Sequence, residues 1–163
     1  MSKTSFGATP SLTVAQQAHH LRVLNLPGAK LRLHPHRLDF IYQARPTPLS
    51  RLYTLRLTYS LADLTEVRVQ DPNLRLLAGD DRLLPHVYDG HHPAKLCLYL
   101  PNTNEWTRAM ALATTVVPWS IEWLLHFEIW LTTNEWQGGG QHPDAGEKKQ
   151  SRSQSVSKPG KQR

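Results

Sequence analysis

The residues best suited to covalent chemistry lie between His86 and Leu100, in His86-Val87-Tyr88-Asp89-Gly90-His91-His92-Pro93-Ala94-Lys95-Leu96-Cys97-Leu98-Tyr99-Leu100. This stretch holds the sole cysteine among 163 residues. A single thiol cannot close an internal disulfide or build a multi-thiolate zinc site, so Cys97 is either a packed, inert residue or a nucleophile. Leu96, Leu98 and Leu100 alternate with Cys97 and Tyr99, the pattern of a short extended segment with leucines inward and the sulfur toward solvent. His86, His91, His92 and Lys95 place cationic or hydrogen-bonding groups near the sulfur, and such groups favour thiolate over thiol. The expectation is nucleophilic catalysis by Cys97, with packing as the alternative because free cysteine is often buried.

Two other chemistries draw on the same residues. Cys97 with one of the nine histidines would make a cysteine hydrolase, although nothing protease-like surrounds the cysteine. His86, His91, His92 and Cys97 are acceptable zinc ligands, but their spacing matches no usual finger. No metal and no cofactor is therefore expected.

The elements that must position this stretch can be read from the hydrophobic periods. Thr13 caps a helix running to Leu24, with Val14, Ala18 and Leu21 on one face, and Pro27-Gly28 ends it. Alternation then predicts strands at 38–43, 51–60 and 66–70, the last closed by the turn chemistry of Asp71-Pro72-Asn73. Three alternating strands with short connections make an antiparallel meander. Leu74, Leu76 and Leu77 suit a further short element, and the cysteine stretch follows as largely non-periodic chain. Residues 107–115 read as a modest helix. Pro118 then opens a helix over 119–131, where Trp119, Trp123, Phe127 and Trp130 share one face and Ile121, Leu125 and Ile129 a neighbouring stripe. Such an aromatic face is expected to pack into a core.

Charge is unevenly placed. Of the net +6, residues 144–163 contribute +4, with six basic and two acidic residues and no aromatic side chain. This points to a disordered basic tail, not to nucleic-acid binding by a nearly balanced body. The expected organisation is a flexible N-terminus over 1–12, one domain over 13–143 and the tail over 144–163. No run of about 18 apolar residues and no signal-peptide pattern is present, so a soluble cytoplasmic protein is expected, its thiol kept reduced.

Helix, meander, Leu-Cys-Leu, a tryptophan nine residues later and then helices resemble the ubiquitin-conjugating-enzyme (UBC) fold. More closely, His86-Val87-Tyr88, Leu96-Cys97-Leu98-Tyr99, Glu105-Trp106, Pro118-Trp119, Glu122-Trp123-Leu124, Glu128-x-Trp130 and Trp136-x-Gly138-Gly139-Gly140-x-His142 resemble the bacterial UBC-like proteins of cyclic-oligonucleotide-based anti-phage signalling (CBASS) operons. The resemblance implies an α+β UBC fold: a meander flanked by helices, the catalytic cysteine in the loop after it, and C-terminal helices. It also implies a thioester-carrying, E2-like transferase. The carried group would be the C-terminus of the operon's cGAS/DncV-like nucleotidyltransferase, joined to an amine on a protein or small acceptor. The chain lacks the Gly-rich nucleotide loop of an adenylating domain, so it resembles the stand-alone type, loaded by a separate activating enzyme if one serves it. Eukaryotic members place an Asn eight residues before the cysteine to support the oxyanion, and Asp89 stands there instead. An ionised carboxylate would repel an oxyanion, so the role does not pass to Asp89. His86, His91, His92 or backbone N–H groups near Gly90 are the candidates, and the sequence does not choose among them. A UBC-fold scaffold without catalysis is the alternative from a different functional class.

Overall fold

The computed structural model describes residues 10–139. The boundary expected at 144, the tail beyond it and His142 lie outside the described residues. In chain order the elements are α1 (Val14–Val23), β1 (Lys30–Leu33), β2 (Arg37–Ala44), β3 (Tyr53–Ser60), β4 (Glu66–Asp71), α2 (Leu74–Ala78), β5 (Val87–Asp89), β6 (Ala94–Leu96), a single 3₁₀ turn (Leu112–Thr114) and α3 (Val116–Thr133). The strands form one antiparallel sheet in the order β1-β2-β3-β4-β6-β5. The class is α+β.

The alternation of apolar and polar residues makes the sheet two-faced. Registry lines up Phe40, Leu57 and Val67 across three strands, and Tyr42, Leu55, Val69 and Ala94 across four. All seven are buried. The opposite face carries Arg56, Arg68 and Lys95 in one row, neutralised by Asp39, Glu66 and Asp89. Helix α3 lies on the apolar face: the Tyr42 hydroxyl is 2.7 Å from Ser120 Oγ, and the Tyr53 hydroxyl donates to Glu128 at 3.0 Å. These bonds satisfy polar groups that burial would otherwise penalise.

Helix α1 begins as expected, with Thr13 and Gln16 forming a reciprocal capping box. Leu12, just before it, is tied to Arg108 and Tyr59 through its backbone. Asn73 caps α2 by its side chain alone, which accepts from the Arg75 N–H.

Three expectations change. First, residues 107–115 form turns and the single 3₁₀ turn instead of a helix. Backbone groups that a helix would pair internally are taken by distant partners: Gln17 Nε2 donates to the Met110 carbonyl at 2.8 Å, the Leu112 N–H donates to Gln17 Oε1 at 2.9 Å, and the Arg108 carbonyl accepts from Leu12. Second, α3 starts two residues before Pro118. Pro118 still falls in the first turn, where its missing N–H has no intrahelical partner to lose, and the Trp119 N–H makes the bond to the Thr115 carbonyl. Third, the meander gains β1 at one edge and the β5–β6 hairpin at the other. Strand β6 pairs with β4, so Cys97 is the first residue beyond a strand of the main sheet and opens the irregular stretch 97–111.

Candidate active site

The end of β6 and the approach to β5 hold Cys97 by its backbone. The Cys97 N–H donates to the His86 carbonyl at 3.1 Å, and the indole N–H of Trp123 donates to the same oxygen at 2.9 Å. His86 sits in the left-handed region at φ 46°, which turns its carbonyl toward these two donors as the chain enters β5. Its ring stacks on Trp136, with centroids 4.8 Å apart and planes at 17°. Trp136 in turn contacts Trp123 at 5.5 Å and His126 at 5.7 Å, and Trp123 stacks on the buried Phe127. The aromatic face of α3 is thus partly core and partly wall: Trp123, Phe127 and Trp130 are buried, while Trp119 is only half-buried.

Around Cys97 these elements leave a cleft of about 460 Å³. Leu98, Tyr99 and Glu105 come from the chain after β6, Trp119, Glu122, Trp123 and His126 from α3, and Trp136, Gly138 and Gly139 from the segment after it. Glycine is needed at 138 because a Cβ there would stand 2.7 Å from Trp136 Nε1 and 3.0 Å from His126 Cδ2. Trp136 Nε1 and His126 Nδ1 are buried without a hydrogen-bond partner among the described residues.

The thiol is not primed as the sequence suggested. Burial pushes its ionisation above the ordinary value of 9.0, a hydrogen bond with the Tyr88 hydroxyl works in the opposite direction, and the Glu105 carboxylate adds to the rise. Lys95, expected to favour the thiolate, pairs instead with Glu66 at 3.0 Å on the polar face of the sheet.

The three candidate histidines separate. The His86 ring lines the Cys97 cleft. His91 and His92 line another cavity, of about 690 Å³, with Arg75, Leu83 and Leu84. His91 is exposed, and its Nδ1 lies 2.9 Å from Asp89 Oδ1. Asp89 accepts from the backbone N–H and ring of His91 and from Arg68, which together hold its carboxyl at about 2. It is an anion committed to its own partners. Among the described residues, no group of three histidine, cysteine or acidic side chains could hold a metal ion. The structure therefore does not assemble His86, His91, His92 and Cys97 as a zinc site. Lining residues from α3 and residues 136–139 were not singled out as site residues, because no local pattern connects them to a cysteine some 20 to 40 positions earlier.

A six-stranded antiparallel sheet with helices on one face is compatible with an E2-like fold. The family model described as Type II CBASS E2 protein matches residues 17–143, and the chain belongs to that family. No curated protein matches the chain. No helix among the described residues is long and apolar enough to cross a membrane.

Proposed function

We propose that Cys97 carries the C-terminal acyl group of a cGAS/DncV-like nucleotidyltransferase as a thioester and passes it to an amine, so that the chain acts as an E2-like transferase of UBC fold in CBASS signalling. Membership of the Type II CBASS E2 family supports the class. The observation that carries the chemistry is the partly buried free thiol at the end of β6, facing an open cleft.

In loading, the Cys97 sulfur attacks the activated terminal carbonyl, its proton passes to solvent, and the activating group leaves. In transfer, a neutral amine attacks the thioester carbonyl and the carbon–sulfur bond breaks, leaving an amide and the cysteine sulfur. A thioester suits the task because it retains reactivity toward amines. The carbonyl oxygen gains charge in both steps, and a well-aimed donor there contributes on the order of 3 to 4 kcal/mol. Of His86, His91 and His92, His86 is favoured because its ring shares the cleft with the sulfur.

Loading by a separate activating enzyme, a protein or small-amine acceptor and a cytoplasmic location belong to the same reading. Co-expression with the operon's nucleotidyltransferase, followed by non-reducing electrophoresis of wild type and Cys97→Ala, tests it. A thiol-labile adduct absent from Cys97→Ala supports a carrier. Unchanged conjugation by Cys97→Ala would instead make the chain a scaffold.

A further inference from the structure

The near balance of charge over residues 10–139 conceals two unlike parts. Residues 10–62 carry seven lysines and arginines against a single acid, Asp39, whereas residues 63–139, which supply the whole Cys97 cleft, carry five against ten. Strand β1 lies in the basic part, at an outer edge of the sheet, and pairs with β2 alone. Pro35 and His36 turn the chain between them, and the His34 N–H donates to the Arg37 carbonyl at 2.8 Å. Bonded pairs alternate along an antiparallel ladder, so the bonding resumes at Arg32 with Asp39 and at Lys30 with Ile41. The N–H and C=O groups of Leu31 and Leu33 therefore point away from β2, where no strand among the described residues pairs with them. Lys30 and Arg32 are exposed on the polar face and form no ion pair among the described residues. The Asp39 carboxylate opposite Arg32 is already held by Arg37, Arg56 and Thr58.

We propose that the open edge of β1 docks an extended acidic segment of a partner protein, which adds to the sheet as a seventh strand. Its main chain pairs with the outward groups of Leu31 and Leu33, its carboxylates at alternate positions meet Lys30 and Arg32, and apolar residues between them lie beside Leu31 and the half-exposed Leu33. Cations on an edge strand also guard it against stray pairing. Guarding accounts for Lys30 and Arg32, but not for a surrounding segment of 53 residues whose one acid is buried and shared by two arginines. Charge selects the occupant. Residues 144–163 of this chain are themselves basic, and a second copy joined β1 to β1 would bring like charges together. Strand β5, the other outer edge, offers a second copy only three residues, with a register shift and one carboxylate that Arg68 and His91 already hold. No phenylalanine, tyrosine or tryptophan lies between Lys30 and Arg37 for nucleic-acid bases to stack on. The site is independent of the carrier reading, being four strand spacings, about 19 Å, from β6.

The probe is a fluorescein-labelled peptide of alternating glutamate and valine, titrated with the full chain at low salt and followed by anisotropy. Binding is expected, weakening as salt screens the charges and falling about tenfold or more in the double variant Lys30→Gln, Arg32→Gln, whose replaced side chains are both exposed. The same peptide N-methylated at alternate residues keeps its charge but loses the main-chain donors, and it should not bind. Amide hydrogen exchange at Leu31 and Leu33 should slow in the complex with the unmodified peptide. No binding of that peptide, equal binding of the N-methylated one, or unchanged exchange at Leu31 and Leu33 overturns strand addition. Tighter binding of a single-stranded oligonucleotide of equal charge, lost in the double variant, would overturn it in favour of nucleic acid. Self-association in sedimentation that the double variant abolishes would overturn it in favour of a second copy.

Discussion

The carbonyl oxygen of His86 accepts two hydrogen bonds, from the Cys97 N–H at 3.1 Å and from the indole of Trp123 at 2.9 Å, and so locks the nucleophile to helix α3. The Cys97 N–H is consumed by this bond and is not free to stabilise charge on a substrate carbonyl. It also makes Trp123 both a core residue and a support of the site.

Trp123→Ala should destabilise the protein by about 3 to 5 kcal/mol, as for other large buried aromatics, measured by urea unfolding. Trp123→Phe fills most of the space but removes the indole donor, leaving the His86 carbonyl with the Cys97 N–H alone. It should cost less and still alter the alkylation rate of Cys97. A Trp123→Phe protein with wild-type thiol reactivity would separate the helix from the site.

Gly138→Ala should disturb the cleft while Gly139→Ala does not. A Cβ at 138 meets the Trp136 ring at 2.7 Å, whereas one at 139 meets nothing within 4 Å. Tryptophan fluorescence and Cys97 adduct formation should change in the first variant, and the second should stay within about 0.5 kcal/mol of wild type. Equal effects of the two would mean that the close approach of Gly138 to Trp136 is not what shapes the cleft.

Asp39 lies almost wholly buried on the polar face, where burial raises its ionisation but hydrogen bonds from Arg37, Arg56 and Thr58 outweigh that and hold it at about 2. Because the folded value is depressed, the stabilisation is fully present above the unfolded value near 3.9 and is lost as pH falls toward 2. It amounts to about 2 kcal/mol. Asp39→Asn should therefore lower stability by roughly this amount at pH 7, with the difference from wild type narrowing between about pH 4 and pH 2. A difference independent of pH would argue against the ion pair as its source.

Burial raises the ionisation of the Cys97 thiol above its ordinary value. Alkylation should rise close to tenfold per pH unit from 7 to 9. A plateau near pH 7 would show a pre-formed thiolate, with a cation near the sulfur that the described residues do not place there.

Much of the scaffold was legible in the sequence because its signals are local. Thr13 marks the start of a helix, and the alternation over Tyr53–Ser60 and the period of Trp123, Phe127 and Trp130 each report a face that must be buried. What could not be read was set by partners far along the chain. Residues 107–115 carry helix formers, yet Gln17 and Leu12 capture their backbone groups. The β5–β6 hairpin is only three residues per strand, too short for alternation to register, and its place beside β4 follows from pairing alone. Cys97 itself stood out by composition, whereas its environment did not. Lys95, two residues away, pairs with Glu66 on the polar face of the sheet, and Trp123, in helix α3, bonds the same His86 carbonyl as the Cys97 N–H.

The most direct test of the carrier reading is the intact mass of the chain after co-expression with the operon's nucleotidyltransferase under conditions that allow loading. The expected result is an adduct of the two masses less one water, released by hydroxylamine or excess thiol. It should be absent from Cys97→Ala and, in Cys97→Ser, replaced by an ester that resists thiol. An adduct of the same mass on Cys97→Ala, or one on wild type that survives both reagents, would contradict a thioester on Cys97.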